Sequence, residues 1–293
     1  MRTMPATASA RGAEPPAFFA GLAIEEVRLR VRDLDRARAF YRDALGLVPV
    51  RGPAAGPERA LALSADGARP ALVVLESDPA APTAPRGAAG LFHVAFLYPD
   101  RPALARAVGA LAARGFLPLG ASDHGVSEAV YFTDPEGNGV ELYADRPPDR
   151  WPRRAGQLDM HTAALDLRAL LAETTADTAG RARAAGVRIG HLHLAVEDLD
   201  EARRVFVDGV GLAVSQDSYA GALFLGDGGY HHHVAVNRWH GGRPPPPAGS
   251  AGLVSFVLRR PGAAGPDFPG RTAGAVAGFT ARWSPRAVAF ARP

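Results

Sequence analysis

The chain of 293 residues contains no cysteine. That excludes a disulfide framework, a thiolate zinc site, an iron–sulfur cluster and a cysteine nucleophile together. Lysine is missing as well, so all 33 residues counted as Lys+Arg are arginine. Neither a Schiff-base lysine nor a P-loop lysine is available. No run of about 18 apolar residues occurs, so no transmembrane span is expected. Basic runs interleaved with aromatics are also missing. The pI of 9.7 reflects the high pKa of arginine, while the formal net charge is only +3. The arginines stand among acids, as in Arg28-Leu29-Arg30-Val31-Arg32-Asp33. Neither nucleic acid nor a membrane is an expected partner. Residues 1–16 are rich in Ala, Pro and Arg and have no apolar core of a signal peptide. They read as part of a disordered tail over 1–20, and the expected location is cytoplasmic.

The length is that of two ordinary domains, with enough apolar residues for a core that needs no staples. The informative feature is an internal repeat. Ile24-Glu25-Glu26-Val27-Arg28-Leu29-Arg30-Val31-Arg32-Asp33-Leu34-Asp35 recurs as Ile189-Gly190-His191-Leu192-His193-Leu194-Ala195-Val196-Glu197-Asp198-Leu199-Asp200. Without a gap, Phe40 and Leu45-Gly46-Leu47 then match Val205 and Val210-Gly211-Leu212. Each copy opens on alternating apolar residues, a strand signal. An Asp-Leu-Asp turn follows to cap a helix, and a glycine ends that helix. Gly90-Leu91-Phe92-His93-Val94-Ala95-Phe96 matches Gly252-Leu253-Val254-Ser255-Phe256-Val257 in the same way. Four strand–helix–strands units therefore begin near Ile24, Gly90, Ile189 and Gly252. In unit two the pattern predicts a helix over about 101–114 and strands near 130–132 and 140–143. The turn Asp134-Pro135-Glu136-Gly137-Asn138-Gly139 joins those strands. Unit four is short and Gly/Ala-rich, with a weak helix and a closing strand over 287–290. The expected domains are 21–145 and 188–293. A connector over 146–187 carries a short helix near 165–173, with Trp151 as a plug.

Histidines fall at equivalent places in these units. His93 and His191 open units two and three, where unit one has Glu26 and unit four Ser255. Aligning Phe132 with Phe224 without a gap sets Glu141 opposite His233, where unit one has Leu72 and unit four Ala289. Two neutral imidazoles and a carboxylate, without thiolate, form a set that suits Fe(II), Mn(II) or Zn(II). With positions left open for substrate, it favours non-haem Fe(II). The candidate metal ligands are His93, Glu141, His191 and His233.

The units resemble the βαβββ modules of the vicinal oxygen chelate superfamily, which includes glyoxalase I, bleomycin-resistance proteins and extradiol dioxygenases. The whole chain is most similar to the two-domain bacterial catechol 2,3-dioxygenase type. The resemblance rests on Gly90-Leu91-Phe92-His93, on Ser122-Asp123-His124-Gly125-Val126-Ser127-Glu128-Ala129 and on the run from Asp134 to Pro147. It also rests on Gly228-Gly229-Tyr230-His231-His232-His233 with Asn237-Arg238-Trp239. It spans about 23–257 and fades past Pro261. It implies an α+β fold in which modules pair into two cup-shaped mixed sheets with a metal in one cup. Pairing unit one with two offers Glu26, His93 and Glu141, and pairing three with four offers only His191 and His233. Pairing two with three alone supplies two histidines, a carboxylate and a spare histidine. That crossed arrangement is the one expected, although neighbours in sequence more often pair.

The resemblance implies an Fe(II)-dependent, extradiol-type dioxygenase with a small catechol-like substrate and O2, and a homodimer. His233 or His231 would move protons. As alternate residues of a strand these two share a face, and His232 points away. His124 either closes over the substrate or belongs to a polar turn. A lyase or isomerase of the glyoxalase type uses the same metal site, and four protein ligands would favour it. A metal-free protein that binds a small molecule or antibiotic is the third reading.

Overall fold

The computed structural model describes residues 21–51, 60–174, 184–260, 275–284 and 287–292. The tail over 1–20 and the helix of unit four fall outside the described residues. Unit one runs β1 (Ala23–Val31), α1 (Leu34–Arg38), β2 (Val48–Pro49), β3 (Ala60–Ser64) and β4 (Val73–Ser77). Unit two runs β5 (Gly90–Tyr98), α2 (Arg101–Ala112), β6 (Gly120–Asp123), β7 (Ser127–Thr133) and β8 (Gly139–Asp145). The connector holds β9 (Arg153–Arg154), β10 (Gln157–Leu158), β11 (Ala163–Ala164) and α3 (Leu167–Leu171). Unit three runs β12 (Arg188–Ala195), α4 (Leu199–Arg203), β13 (Ala213–Gln216), β14 (Ala222–Gly226) and β15 (Val234–Asn237). Unit four supplies β16 (Gly252–Arg259), β17 (Ala275–Val276), β18 (Phe279–Ser284) and β19 (Ala287–Ala291). None of the described helices is long and apolar enough to cross a membrane.

The repeat holds in local chemistry. Asp33 and Asp198 are equivalent N-caps whose side chains accept from Arg36 N and from Asp200 N and Glu201 N. Both helices then widen into i→i+5 bonding, Leu45 N to Phe40 O and Val210 N to Val205 O. Both turns pass through a glycine in the left-handed region, Gly46 at φ 89° and Gly211 at φ 83°. No residue with a Cβ adopts that conformation without strain.

The sheet pairing is crossed. β5 of unit two lies antiparallel to β12 of unit three, with His93 opposite His193 and Ala95 opposite His191. β1 of unit one lies antiparallel to β16 of unit four. In units one, two and three the last strand runs parallel to the first. The strand that precedes it pairs antiparallel. Unit four departs from this plan, because β19 runs antiparallel to β16.

Period-two alternation sorts β5 and β8 between two cores. Val94, Phe96, Tyr98, Val140, Leu142 and Ala144 join the large core shared with the helices and the other sheet. Ala95, Leu97 and Tyr143 face the other way, into a smaller cluster with Val126, Trp151, Met160 and Tyr230. From His93 to Tyr98 on β5 and along β8, even-numbered residues thus lie under the helices and odd-numbered ones line the hollow of the sheet, while a bulge at Phe92 turns its ring to the cavity. Glu141 stands on that hollow face between Val140 and Leu142.

Candidate metal centre and its cavity

His93 on β5, Glu141 on β8 and His191 on β12 meet at the floor of the hollow. Their ligand atoms all lie within 4.8 Å of one another, and all three residues are buried. His93 Nε2 is 3.0 Å and His191 Nε2 3.2 Å from the same atom, Glu141 Oε2. The two Nε2 atoms are 3.3 Å apart. Burial lowers the His191 pKa to about 4 despite the neighbouring carboxylate, so the ring is neutral near pH 7, the charge state a metal ligand needs. Burial opposes ionisation of Glu141, but His191 and His93 more than offset it and hold the carboxyl well below the usual range. Two imidazole nitrogens and a carboxylate oxygen converging on one point, away from bulk water, fit a divalent transition metal. Among the described residues this is the one group of three or more ligand-type side chains so placed.

The other sheet answers the same positions differently. Unit one has Glu26 where unit three has His191, and Arg28 where it has His193. Arg28 bonds Glu26 and Glu76, each at 2.9 Å. An ion triad stands there in place of a ligand set.

His233 stands outside the cluster. Its Nδ1 accepts the Asp227 N–H at 3.1 Å and its ring packs on Tyr230. The register explains the difference. Phe224 answers Tyr131, not Phe132, because Phe224 pairs with Ala235 as Tyr131 pairs with Glu141; and since Phe132 pairs with Val140 but Leu225 with Val234, the second loop is also one residue longer. The residue equivalent to Glu141 is therefore Ala235, not His233. Residues 231 and 232 also precede the ladder, which begins at His233 through its bonds to Leu225 and Leu192, so strand alternation does not govern them. His232 was expected to point away. Instead it lines the cavity, and its ring lies 4.1 Å from that of His191.

His231 lies behind His232. Its Nε2 is 2.9 Å from Asp145 Oδ1, and its Nδ1 is 2.8 Å from His232 Nδ1. Tyr230 also donates its hydroxyl to Asp145, at 3.3 Å. A carboxylate only accepts, so His231 Nε2 carries a hydrogen. In the tautomer that carries hydrogen on His231 Nε2 alone, its bare Nδ1 accepts from His232 Nδ1–H. His232 is then left with an unprotonated Nε2. Burial, reinforced by the neighbouring histidines, holds the His232 pKa well below its ordinary value.

His124 lines the opposite wall. Its Nδ1 donates to His161 O at 2.7 Å, so its Nε2 accepts the Tyr131 hydroxyl at 2.6 Å. Burial, then the Glu141 carboxylate, push the Tyr131 pKa well above the ordinary tyrosine value. The Tyr131 ring lies 5.9 Å from that of His93. His193 closes a third side. Asn237 Oδ1 accepts the Trp239 N–H, which turns Asn237 Nδ2 to donate to His193 Nε2 at 2.9 Å. Trp151 is buried against Tyr230 and His231 and donates its indole N–H to Arg146 O.

These groups surround a cavity of about 950 Å³. Phe92, Val126, Met160, Phe224 and Trp239 supply apolar wall around the polar floor. Sequence reasoning passed over Tyr131, His232 and Asp145 as working residues. Tyr131 is two residues from Ala129 on β7, and Ala129 faces the hollow. Its period was therefore the available signal.

The family model for the Glyoxalase/Bleomycin resistance protein/Dioxygenase superfamily matches residues 23–142. A Bacillus subtilis (strain 168) protein named catechol-2,3-dioxygenase is 40% identical over 239 residues, which cover 80% of this chain and 81% of that one. A solved Bacillus subtilis subsp. subtilis str. 168 structure, described as a candidate dioxygenase, superposes with a TM-score of 0.55 at 14% identity. That match covers 80% of this chain and 69% of the other, and it shows a shared fold. Glyoxalase I from Zea mays aligns at 15% identity with a TM-score of 0.49, over 81% of this chain and 74% of its own. The chain belongs to the glyoxalase/bleomycin resistance protein/dioxygenase superfamily.

Proposed function

We propose that this protein is an extradiol-type, ring-cleaving dioxygenase that uses a divalent metal, Fe(II), to act on a catechol-like aromatic. The observation that carries the reading is the three-residue set His93, Glu141 and His191, joined in one cavity by His232. Three protein ligands leave coordination positions for substrate oxygens and for O2, whereas a fourth would favour lyase or isomerase chemistry. His233 is not a fourth ligand in this reading, because it neither joins the three-residue cluster nor lines the cavity. The 40% identical relative named catechol-2,3-dioxygenase supports the same reaction class.

When bound, the metal supplies a lowered pKa for a catechol hydroxyl and brings the aromatic and O2 together. The chain supplies the rest. His232 Nε2 takes the proton that the catechol hydroxyl gives up, and Asp145 through His231 keeps that nitrogen unprotonated beforehand. Tyr131 points its own hydrogen at His124 and so offers its oxygen lone pairs to the cavity, where they orient the substrate's second hydroxyl. The apolar wall excludes bulk water and receives the ring. Overall, both atoms of O2 enter the product as the ring carbon–carbon bond beside the diol breaks.

The test begins with metal content after purification without oxygen. About one iron per chain is expected, lost in His93→Ala and Glu141→Ala. Oxygen uptake should then match catechol loss. Full catechol binding with no metal at any stage, even after Fe(II) addition, would overturn the reading in favour of a small-molecule binding protein.

A further inference from the structure

The cavity is much larger than a bare catechol requires, since sites of about 300–1,000 Å³ hold drug-sized ligands. Its charge is also one-sided. Two carboxylates line it, and both are engaged. Glu141 belongs to the triad, and Glu136 accepts from Arg32 Nε and from the Arg32 and Asp33 backbone N–H groups. Three arginines line the same cavity: Arg86, Arg243 and Arg292. None of the three makes an ion pair among the described residues.

Arg292 is the most enclosed of them. It donates through Nη2 to Ala89 O at 3.1 Å and lies 4.6 Å over the Phe279 ring. Its Nε is buried without a hydrogen-bond partner. Burial, with Arg30 nearby, lowers its pKa to about 10, so it remains charged at neutral pH. A half-buried guanidinium with no counter-charge among the described residues is costly unless a ligand completes it. Gly90 makes the space for it, because a Cβ at that position would collide with Arg292 Nη2.

The reversed last strand of unit four explains how the arginine arrives there. Gly252 and Leu253, at the start of β16, line the cavity. Because β19 runs antiparallel to β16, its far end returns to that edge, and Arg292 N bonds Val254 O at 3.0 Å. A parallel strand, as in the other units, would carry the chain end to the opposite edge. The Ala89–Gly90 backbone beside the guanidinium lies three residues from His93, or about 10 Å along an extended strand.

We infer that the substrate of this site carries a carboxylate on a side chain of its aromatic ring, and that Arg292 receives it, with Arg243 and Arg86 at the rim. The inference rests on the ring-cleaving reading for the position of the diol. Arg292 is a specificity-determining residue in this account, because a guanidinium that lines the cavity matches the fork of a carboxylate.

Two probes test it: a catechol with a propanoate chain at ring position 3, and the matching primary amide. Binding to the iron-loaded protein is measured calorimetrically without oxygen, so no turnover occurs. Wild type should bind the carboxylate at least about 10-fold tighter than the amide. That ratio should fall to near one in Arg292→Met and be largely kept in Arg292→Lys. Equal affinities in wild type overturn the inference whether or not the variants fold. An equal loss for both probes in Arg292→Met, with the ratio intact, also overturns it. Admitting oxygen afterwards separates the two readings. Carboxylate preference without ring cleavage ends the dioxygenase assignment alone, and ring cleavage without preference ends the carboxylate site alone.

Discussion

Replacing Asp145 by Asn probes the proton-handling side of the site without touching a metal ligand. Asp145 accepts from His231 Nε2 at 2.9 Å and from the Tyr230 hydroxyl at 3.3 Å. Because a carboxylate cannot donate, it forces hydrogen onto His231 Nε2 and, one step on, onto His232 Nδ1. Asparagine keeps the size but adds an amide that can donate. Both imidazoles can then reverse, which puts hydrogen on His232 Nε2 and removes the base. In stability, a charge-assisted hydrogen bond becomes a neutral one, a difference of about 1 kcal/mol. In a chain of this length that shifts the melting temperature by only about 2–4 °C. In catalysis, the loss of a positioned base costs about 10²-fold or more. The expected outcome is therefore a folded, metal-loaded variant whose kcat with catechol falls about 10²-fold while KM changes little. The assay is oxygen uptake at equal iron content. Nitrogen NMR of the zinc-substituted protein supplies an independent reading, with an unprotonated His232 Nε2 in wild type and a protonated one in Asp145→Asn. A kcat within about 3-fold of wild type, or a loss that merely tracks lost metal, would refute the relay.

Three further outcomes follow from the geometry. Tyr131→Phe removes the hydroxyl that bonds His124 and should lower kcat about 10-fold while iron content stays level, because Tyr131 is not a ligand. Gly190→Ala would set a Cβ against the buried Tyr143 hydroxyl and should cost about 1–3 kcal/mol in urea unfolding; a variant as stable as wild type would contradict the packing. In the metal-free protein, folding lowers the pKa of His191 to about 4 and of His233 to about 3, and it also lowers those of His193 and His232. The unfolded chain therefore binds more protons below its ordinary histidine pKa. Stability should hold above about pH 6.5 and fall toward pH 4, by up to about 1.4 kcal/mol per pH unit for each histidine, and a flat profile would rule this out.

Much of the fold was legible because the repeat preserves its chemistry. The equivalent pairs Asp33 and Asp198, Gly46 and Gly211, and His93 and His191 mark a helix cap, a helix end and a strand face. The triad was legible for the same reason, since alternation on β5, β8 and β12 turns its three members to one face. What was not legible depends on counts that composition cannot supply. A one-residue shift of β14, which sets Phe224 at Tyr131's place, and one extra residue between β14 and β15 together move Ala235 to the place assigned to His233. The loss of ladder pairing at 231 and 232 turns His232, not its neighbours, into the cavity. The reversal of β19 is likewise invisible in the Gly/Ala-rich sequence of unit four, and with it the role of Arg292. Asp145 and His231 are 86 positions apart in sequence, so only the folded hollow brings them together.

The second sheet shows how one module plan can be kept while its chemistry is given up. Glu26 and Arg28 stand at the places where unit three has imidazoles, and with Glu76, at the place of Asn237, they form an ion triad, so that face carries charge pairs in place of ligands. Unit four meanwhile keeps its pairing with unit one and lends its last residues to the neighbouring cavity. The two sheets are thus linked through the site as well as through the shared core.

The most direct test of the central claim is mass analysis of the product formed from catechol under ¹⁸O2 by the iron-loaded protein. The account predicts a ring-opened product carrying both label atoms, formed by wild type and not by Glu141→Ala. A product with no label, or an isomer of the substrate formed equally well without oxygen, would contradict it.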